Sequence, residues 1–137
     1  MTDVEILQKA VEARRFAYAP YSHFAVGAAL LTKSGKIFTG CNIESASYSP
    51  SNCAERTAIF KAVGEGEREF SKIAIVGGKE GEKPVGLCPP CGVCRQVMVE
   101  FCDPHTFRIV LADDNGKPRT FLLEEMLPFG FGPDNLC

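Results

Sequence analysis

The apolar and polar positions of the chain alternate with two periods. Near the start, Val4, Leu7, Val11 and Tyr18 recur at close to helical spacing, with Asp3 at the beginning of the run and Pro20 after it. Residues 3 to 18 therefore read as an amphipathic helix. From His23 to Leu31 the pattern becomes a run of apolar residues, a strand, and Ile37 to Ile43 reads as a second strand. Between them, Lys33-Ser34-Gly35-Lys36 is turn chemistry, so the pair forms a β-hairpin. Small residues at Ala25, Gly27, Ala28 and Ala29 predict an element packed very close to it.

Residues 44 to 52 form a polar loop. Beyond it, Ala54, Ala58, Ile59, Ala62 and Val63 share one side of a helix that begins after Cys53 and stops at Gly64. Residues 72 to 76 are a short apolar strand ended by Gly77-Gly78, and a charged loop runs from there through Lys83 to Pro84. Val93, Val97 and Phe101 predict a further helix from Cys91 to Phe101. Phe107 to Ala112 is a strand, Asn115-Gly116 a turn, Arg119 to Leu122 a strand pairing back antiparallel, and Leu123 to Leu127 a short helix. The tail from Pro128 to Pro133 holds two aromatics among helix breakers, which suits an ordered loop or an aromatic lid.

A length of 137 residues with 45% hydrophobic content gives one domain, residues 1–137, with a real core. The net charge of -2 offers no electrostatic footprint for a polyanion, so a small neutral ligand suits the chain better than a nucleic acid. Seven cysteines form an odd set clustered mid-chain, with no signal peptide and no apolar run long enough to cross a membrane. These features point to a reducing cytoplasm and no membrane partner, and away from a disulfide scaffold.

The chemistry concentrates in Cys53-Ala54-Glu55 and Pro90-Cys91-Gly92-Val93-Cys94. Each stretch runs into a helix, whose positive N-terminal end favours thiolates, the form a metal requires. Three cysteines would fill three positions of a tetrahedral zinc ion and leave the fourth for water, as in catalytic sites. Glu55, in the first turn after Cys53, can stand beside the metal without ligating it and exchange protons with that water and a leaving group. Cys88-Pro89-Pro90-Cys91 is an overlapping C-x-x-C, but two prolines hold it extended, whereas Gly92 permits a turn whose amides face sulfur. A redox dithiol explains neither Cys53 nor Glu55, and a closed structural zinc module with Cys88 as fourth ligand leaves Glu55 without a role. Arg56 and Arg95 each directly follow a metal motif, and either could temper the thiolate charge. His23 and His105 are structural or surface residues, and Cys41, Cys102 and Cys137 buried or incidental thiols.

These motifs match those of zinc deaminases of nucleosides and bases. Together with Tyr21-Ser22, Phe24 to Ala29, Gly40-Cys41-Asn42-Ile43-Glu44 and Phe131-Gly132-Pro133, the chain resembles the small homotetrameric cytidine deaminases over nearly its whole length. The resemblance implies one zinc per subunit held by Cys53, Cys91 and Cys94, with Glu55 as proton shuttle for water on the metal. Asn42 and Glu44 would hold ribose hydroxyls, Phe24 would stack near the pyrimidine, and the Ala54 backbone would read its edge. Phe131 would reach a neighbouring subunit's site, and the loop through Tyr48 would make contacts between subunits. The implied reaction is hydrolytic deamination of cytidine and deoxycytidine to uridine and deoxyuridine, in pyrimidine salvage. A deaminase of a modified cytosine nucleoside, such as blasticidin S, shares the thiols and the glutamate. The fold expected is a three-layer α/β/α sandwich around a mixed sheet of about five strands.

Overall fold

The computed structural model describes residues 1–84 and 86–137. Helix α1 covers Asp3–Arg14, with Thr2 as its cap accepting the Glu5 N–H at 3.1 Å. It stops short of the expected residue 18 because the chain turns to lie beside a strand. Tyr18 N–H donates to the Asn42 carbonyl and the Tyr18 carbonyl accepts from Glu44 N–H, both at 2.9 Å. The buried face also differs from the one expected: Ile6, Leu7, Ala10 and Ala13 are buried, while Val4 and Tyr18 are exposed. Ala10 explains the choice, because a Cβ on Gly27 would lie 2.1 Å from its carbonyl oxygen. The small residues of the first strand thus admit the backbone of α1, as their size foretold.

Strands β1 (Phe24–Thr32) and β2 (Ile37–Cys41) form the antiparallel hairpin, with Ala29 opposite Thr39. Helix α2 (Ala54–Gly64) leads into β3 (Phe70–Lys79). β3 is longer than expected, since Gly77 and Gly78 pair with Val26 and Ala25 of β1. They do not end the strand; a Cβ on Gly77 would sit 2.6 Å from Cys88 Sγ, so the absent side chain makes room for the loop that follows. Helix α3 (Gly92–Phe101), strands β4 (Arg108–Ala112) and β5 (Pro118–Leu122) and helix α4 (Leu123–Met126) complete the order, before a 3₁₀ turn at Pro133–Asn135.

The sheet runs β2-β1-β3-β4-β5. Among the described strands of the sheet, β3 and β4 pair in parallel, joined by the crossover through α3, and the other neighbours are antiparallel. Helix α1 covers one face through Ile6, Leu7 and Ala10 on Ala29, Ala74, Val76 and Val110. Ile59 of α2, Met98 of α3 and Leu123 of α4 cover the other, over Leu30, Ile73, Ile75, Ile109 and Leu111. This is the three-layer sandwich around a mixed sheet. Each fully buried isoleucine or leucine contributes about 1.5–3 kcal/mol. Helix α3 forms where the spacing of Val93, Val97 and Phe101 predicts it, but its buried residues are Cys94, Met98 and Val99, whereas Val93 is 57% exposed. Val93, Val97 and Phe101 instead line a surface groove with Phe60 of α2.

One buried charge ties the chain start to the sheet. Lys72 of β3, 3% exposed, places Nζ 2.7 Å from Asp3 Oδ1 and 2.8 Å from the Met1 carbonyl. Thr120 Oγ1 donates to the other Asp3 oxygen at 2.7 Å.

Candidate metal centre and ligand cleft

The starts of α2 and α3 meet over the same end of the sheet. Cys53 is the N-cap of α2 and Cys91 that of α3, where its sulfur accepts from Cys94 N–H at 3.4 Å. Gly40 of β2 sets the height of α2, because a Cβ there would fall 2.5 Å from the Ala54 carbonyl and 2.6 Å from Ala58 N. Cys53 Sγ lies 3.8 Å from Cys91 Sγ, which lies 3.4 Å from Cys94 Sγ. Three sulfurs on one tetrahedral zinc at about 2.3 Å would stand about 3.8 Å apart, so the triad fits that ion with small adjustment and leaves a fourth position open. Among the described residues these three thiols form the one such group of potential ligands. Cys88 is not part of it; its sulfur packs over Gly77 next to Phe24, and burial pushes its thiol up to about 11.

Beside the triad lies a cleft of about 410 Å³. Phe24, Val26, Cys88 and Pro89 make its apolar wall, Cys53, Ala54, Glu55, Arg56 and Cys91 its metal end, and Ser22, Asn42, Glu44, Ser51 and Asn52 its polar end. Asn42 is fixed at both amide atoms: Oδ1 accepts from Val26 N–H at 2.9 Å and Nδ2 donates to the Phe24 carbonyl at 2.8 Å. Phe24 is 43% exposed. Eight of the ten residues expected at the metal and ligand site thus gather here: Cys53, Cys91, Glu55, Phe24, Asn42, Glu44 and Ala54 line the cleft, and Cys94 lies behind it. Tyr48 and Phe131 do not line it. Tyr48 is 73% exposed and packs edge-on against Tyr21, while Phe131 is 59% exposed, its carbonyl accepting from Gln96 Nε2 at 2.6 Å.

The family model for the cytidine and deoxycytidylate deaminase zinc-binding region matches residues 1–110. The chain belongs to this deaminase family. It is 46% identical over 131 residues to a cytidine deaminase of Halalkalibacterium halodurans, covering 96% of this chain and 95% of that one. Another of Sporosarcina psychrophila is 46% identical over 135 residues, covering 98% and 95%. The crystal structure of a cytidine deaminase from Burkholderia pseudomallei superposes with a TM-score of 0.86 at 48% identity, covering 96% of this chain and all of that one.

In this deaminase-family chain the charge of the thiol cluster is met by one arginine. Arg56 Nη2 donates to Cys53 Sγ at 3.1 Å. Arg95 is occupied elsewhere, giving Nε to the Pro90 carbonyl at 2.8 Å and Nη1 to the Met126 carbonyl at 2.7 Å. Of the two arginines flagged from sequence, Arg56 is the sulfur donor and Arg95 a brace for the Pro90 turn. Hydrogen bonding from Cys94, then from Arg56, lowers the Cys53 thiol to about 5, and the same coupling drives Cys94 up. Glu55 is 4% exposed; burial first, and then the negative charge of Cys53, push its carboxyl up to about 7.

Sequence reasoning gave no role to Ser22 or Arg14. Arg14 binds the Ala25, Lys79 and Glu82 carbonyls at 2.7–2.8 Å, pinning the strand ends beneath the cleft. In sequence it is one charged residue in the last turn of a helix, and only the pairing of β1 with β3 brings the Ala25 and Lys79 carbonyls together. His23 and His105 lie outside the cleft, facing Glu80 at 3.6 Å and Glu124 at 2.7 Å.

Proposed function

We propose that the chain is a zinc-dependent hydrolase that converts cytidine and deoxycytidine to uridine and deoxyuridine with release of ammonia. The observation that carries this reading is a three-thiol metal position with a buried carboxylate, Glu55, in a cleft whose far end holds Asn42 and Glu44. When bound, zinc supplies the Lewis acidity that makes water nucleophilic at neutral pH. Glu55 takes a proton from the water whose oxygen bonds to C4 and returns it to the amine leaving C4, so the C–N bond breaks as ammonia departs. A carboxyl raised to about 7 suits both directions of that transfer. The Ala54 backbone, at the start of α2, meets the base edge, Phe24 its face, and Asn42 and Glu44 the sugar hydroxyls.

An uncharged nucleoside suits the cleft better than a 5′-phosphate. Glu44 and Glu55 line it, and Arg56, the one cation among its described lining residues, is engaged with Cys53. A homotetramer is part of the same reading. The apolar groove of Phe60, Val93, Val97 and Phe101 supplies a surface to cover, and the exposed Tyr48 and Phe131 are free to complete neighbouring sites. No helix among the described residues is long and apolar enough to cross a membrane. A cytoplasmic place in pyrimidine salvage accords with the free thiols.

The test is release of ammonia and uridine from cytidine by the zinc-loaded protein beside Glu55→Gln. Equal yields of both products from the parent, with zinc kept and turnover almost lost in the variant, support the reading. An active, zinc-loaded Glu55→Gln refutes the shuttle, and a folded, zinc-loaded but silent parent refutes the reaction. Turnover of blasticidin S side by side with cytidine separates the modified-nucleoside enzymes.

A further inference from the structure

The polar end of the cleft contains a hydroxyl that the reaction itself does not use. Ser22 Oγ donates to Glu44 Oε2, and the same oxygen accepts the Phe24 N–H at 3.1 Å. Because one lone pair is committed to that amide, the single hydroxyl proton is free to point at the carboxylate. The other carboxylate oxygen, Oε1, accepts two backbone amides, Tyr21 N–H at 3.0 Å and Ser22 N–H at 3.1 Å. An ionised carboxylate has about four acceptor positions, so the protein fills three and leaves one, on Oε2. The backbone around this knot is held as well: His23, between Ser22 and Phe24, has φ of 55°, in the left-handed region. Its carbonyl accepts from Glu80 N–H at 2.8 Å.

We infer that Ser22 is a positioning residue for sugar recognition: through its hydroxyl it orients the Glu44 carboxylate so that one acceptor position on Oε2 faces a single sugar hydroxyl. This rests on the nucleoside reading above and deepens it. Glu44 alone could turn about its terminal bonds and offer several weak poses; with three protein donors in place it presents one. Hydrogen bonding from Ser22, first among the causes, also holds the Glu44 carboxyl below its usual range, which keeps it an acceptor.

The experiment compares cytidine with 2′,3′-dideoxycytidine for the parent, Ser22→Ala and Ser22→Thr. Turnover of cytidine by the parent tests the nucleoside reading by itself; with no turnover, that reading fails before Ser22 is examined. Given turnover, Ser22→Ala is expected to raise KM for cytidine roughly tenfold, with kcat within about threefold, as for loss of one charge-assisted hydrogen bond. The dideoxy substrate, which has no ring hydroxyl to lose, is expected to change by less than about threefold, and Ser22→Thr to recover most of the cytidine KM. Equal loss on both substrates would assign Ser22 a merely structural role and overturn the inference. An unchanged cytidine KM in folded Ser22→Ala would overturn it too.

Discussion

Replacing Arg56 by alanine is expected to weaken zinc binding, and to do so more at low pH than at high. The guanidinium nitrogen stands 3.1 Å from Cys53 Sγ. At an effective dielectric of about 20, opposite unit charges at that separation attract by about 5 kcal/mol before any cost is counted. Desolvating a partly buried guanidinium and freezing its side chain take back much of this. A loss of about 10–100-fold in zinc affinity remains, or about 1.4–2.7 kcal/mol. The pH dependence follows from proton competition for sulfur. Hydrogen bonding from Cys94 and then from Arg56 holds the Cys53 thiol near 5, and without Arg56 its share is lost and the thiol rises part of the way toward its ordinary 9.0. Protons then compete with the metal below the higher value, so the deficit grows as pH falls. Competition titration against a chromogenic chelator at about pH 6.5 and about pH 9 measures both effects. Arg95→Ala is the control, since its contacts run to the Pro90 and Met126 carbonyls. Parent-like affinity in Arg56→Ala at the lower pH, or an equal loss in Arg95→Ala, refutes the assignment.

Asp3→Asn strands the buried Lys72 ammonium and should cost about 3–5 kcal/mol in chemical denaturation, whereas Lys72→Met, which removes the charge, should cost far less. Burial alone would raise the Asp3 carboxyl, but hydrogen bonding and attraction from Lys72 outweigh it and hold it below 3.8. The pair's stabilisation is therefore complete above about pH 4 and is lost as pH falls through the lower folded value, which chemical denaturation of the parent beside the two variants at falling pH will display. Gly40→Ala should displace the first turn of α2 and reduce zinc content in a protein that still folds; full zinc content would contradict the backbone contact as the determinant of Cys53. Cys88→Ser should retain one zinc per chain by elemental analysis, and a loss of metal would return Cys88 to the ligand set.

The metal site could be read from sequence because its elements are local. Cys-x-Glu and Cys-x-x-Cys at helix starts depend on one turn of backbone each, and helix starts are well marked. The hairpin and the close approach to Gly27 were readable for a similar reason, since small residues state directly what space they leave. Faces were harder. On α3, Val93, Val97 and Phe101 show the stronger apolar spacing, yet Cys94, Met98 and Val99 are buried, because Cys94 turns inward to the sulfur of Cys91 and its neighbours follow. On α1, alanine at 10 and 13 carries little hydrophobic signal but is what the narrow gap over β1 admits. Ser22 and Arg14 act through carbonyls, amides and a carboxylate distant in sequence, and no residue spacing encodes those meetings.

Of the three cysteines that share the metal position, Cys53 and Cys91 lie 38 residues apart along the chain, on the caps of two different helices. A bound ion there is also a cross-link. In the chain-entropy picture, closing a loop of that length restrains the unfolded chain by about 4 kcal/mol, much as a disulfide would. Unlike a disulfide, this staple persists in a reducing environment and can be withdrawn by a chelator. The chain therefore joins its capacity for chemistry to the cohesion of α2 with α3, so that a copy unable to hold the ion is also a copy more easily unfolded and cleared.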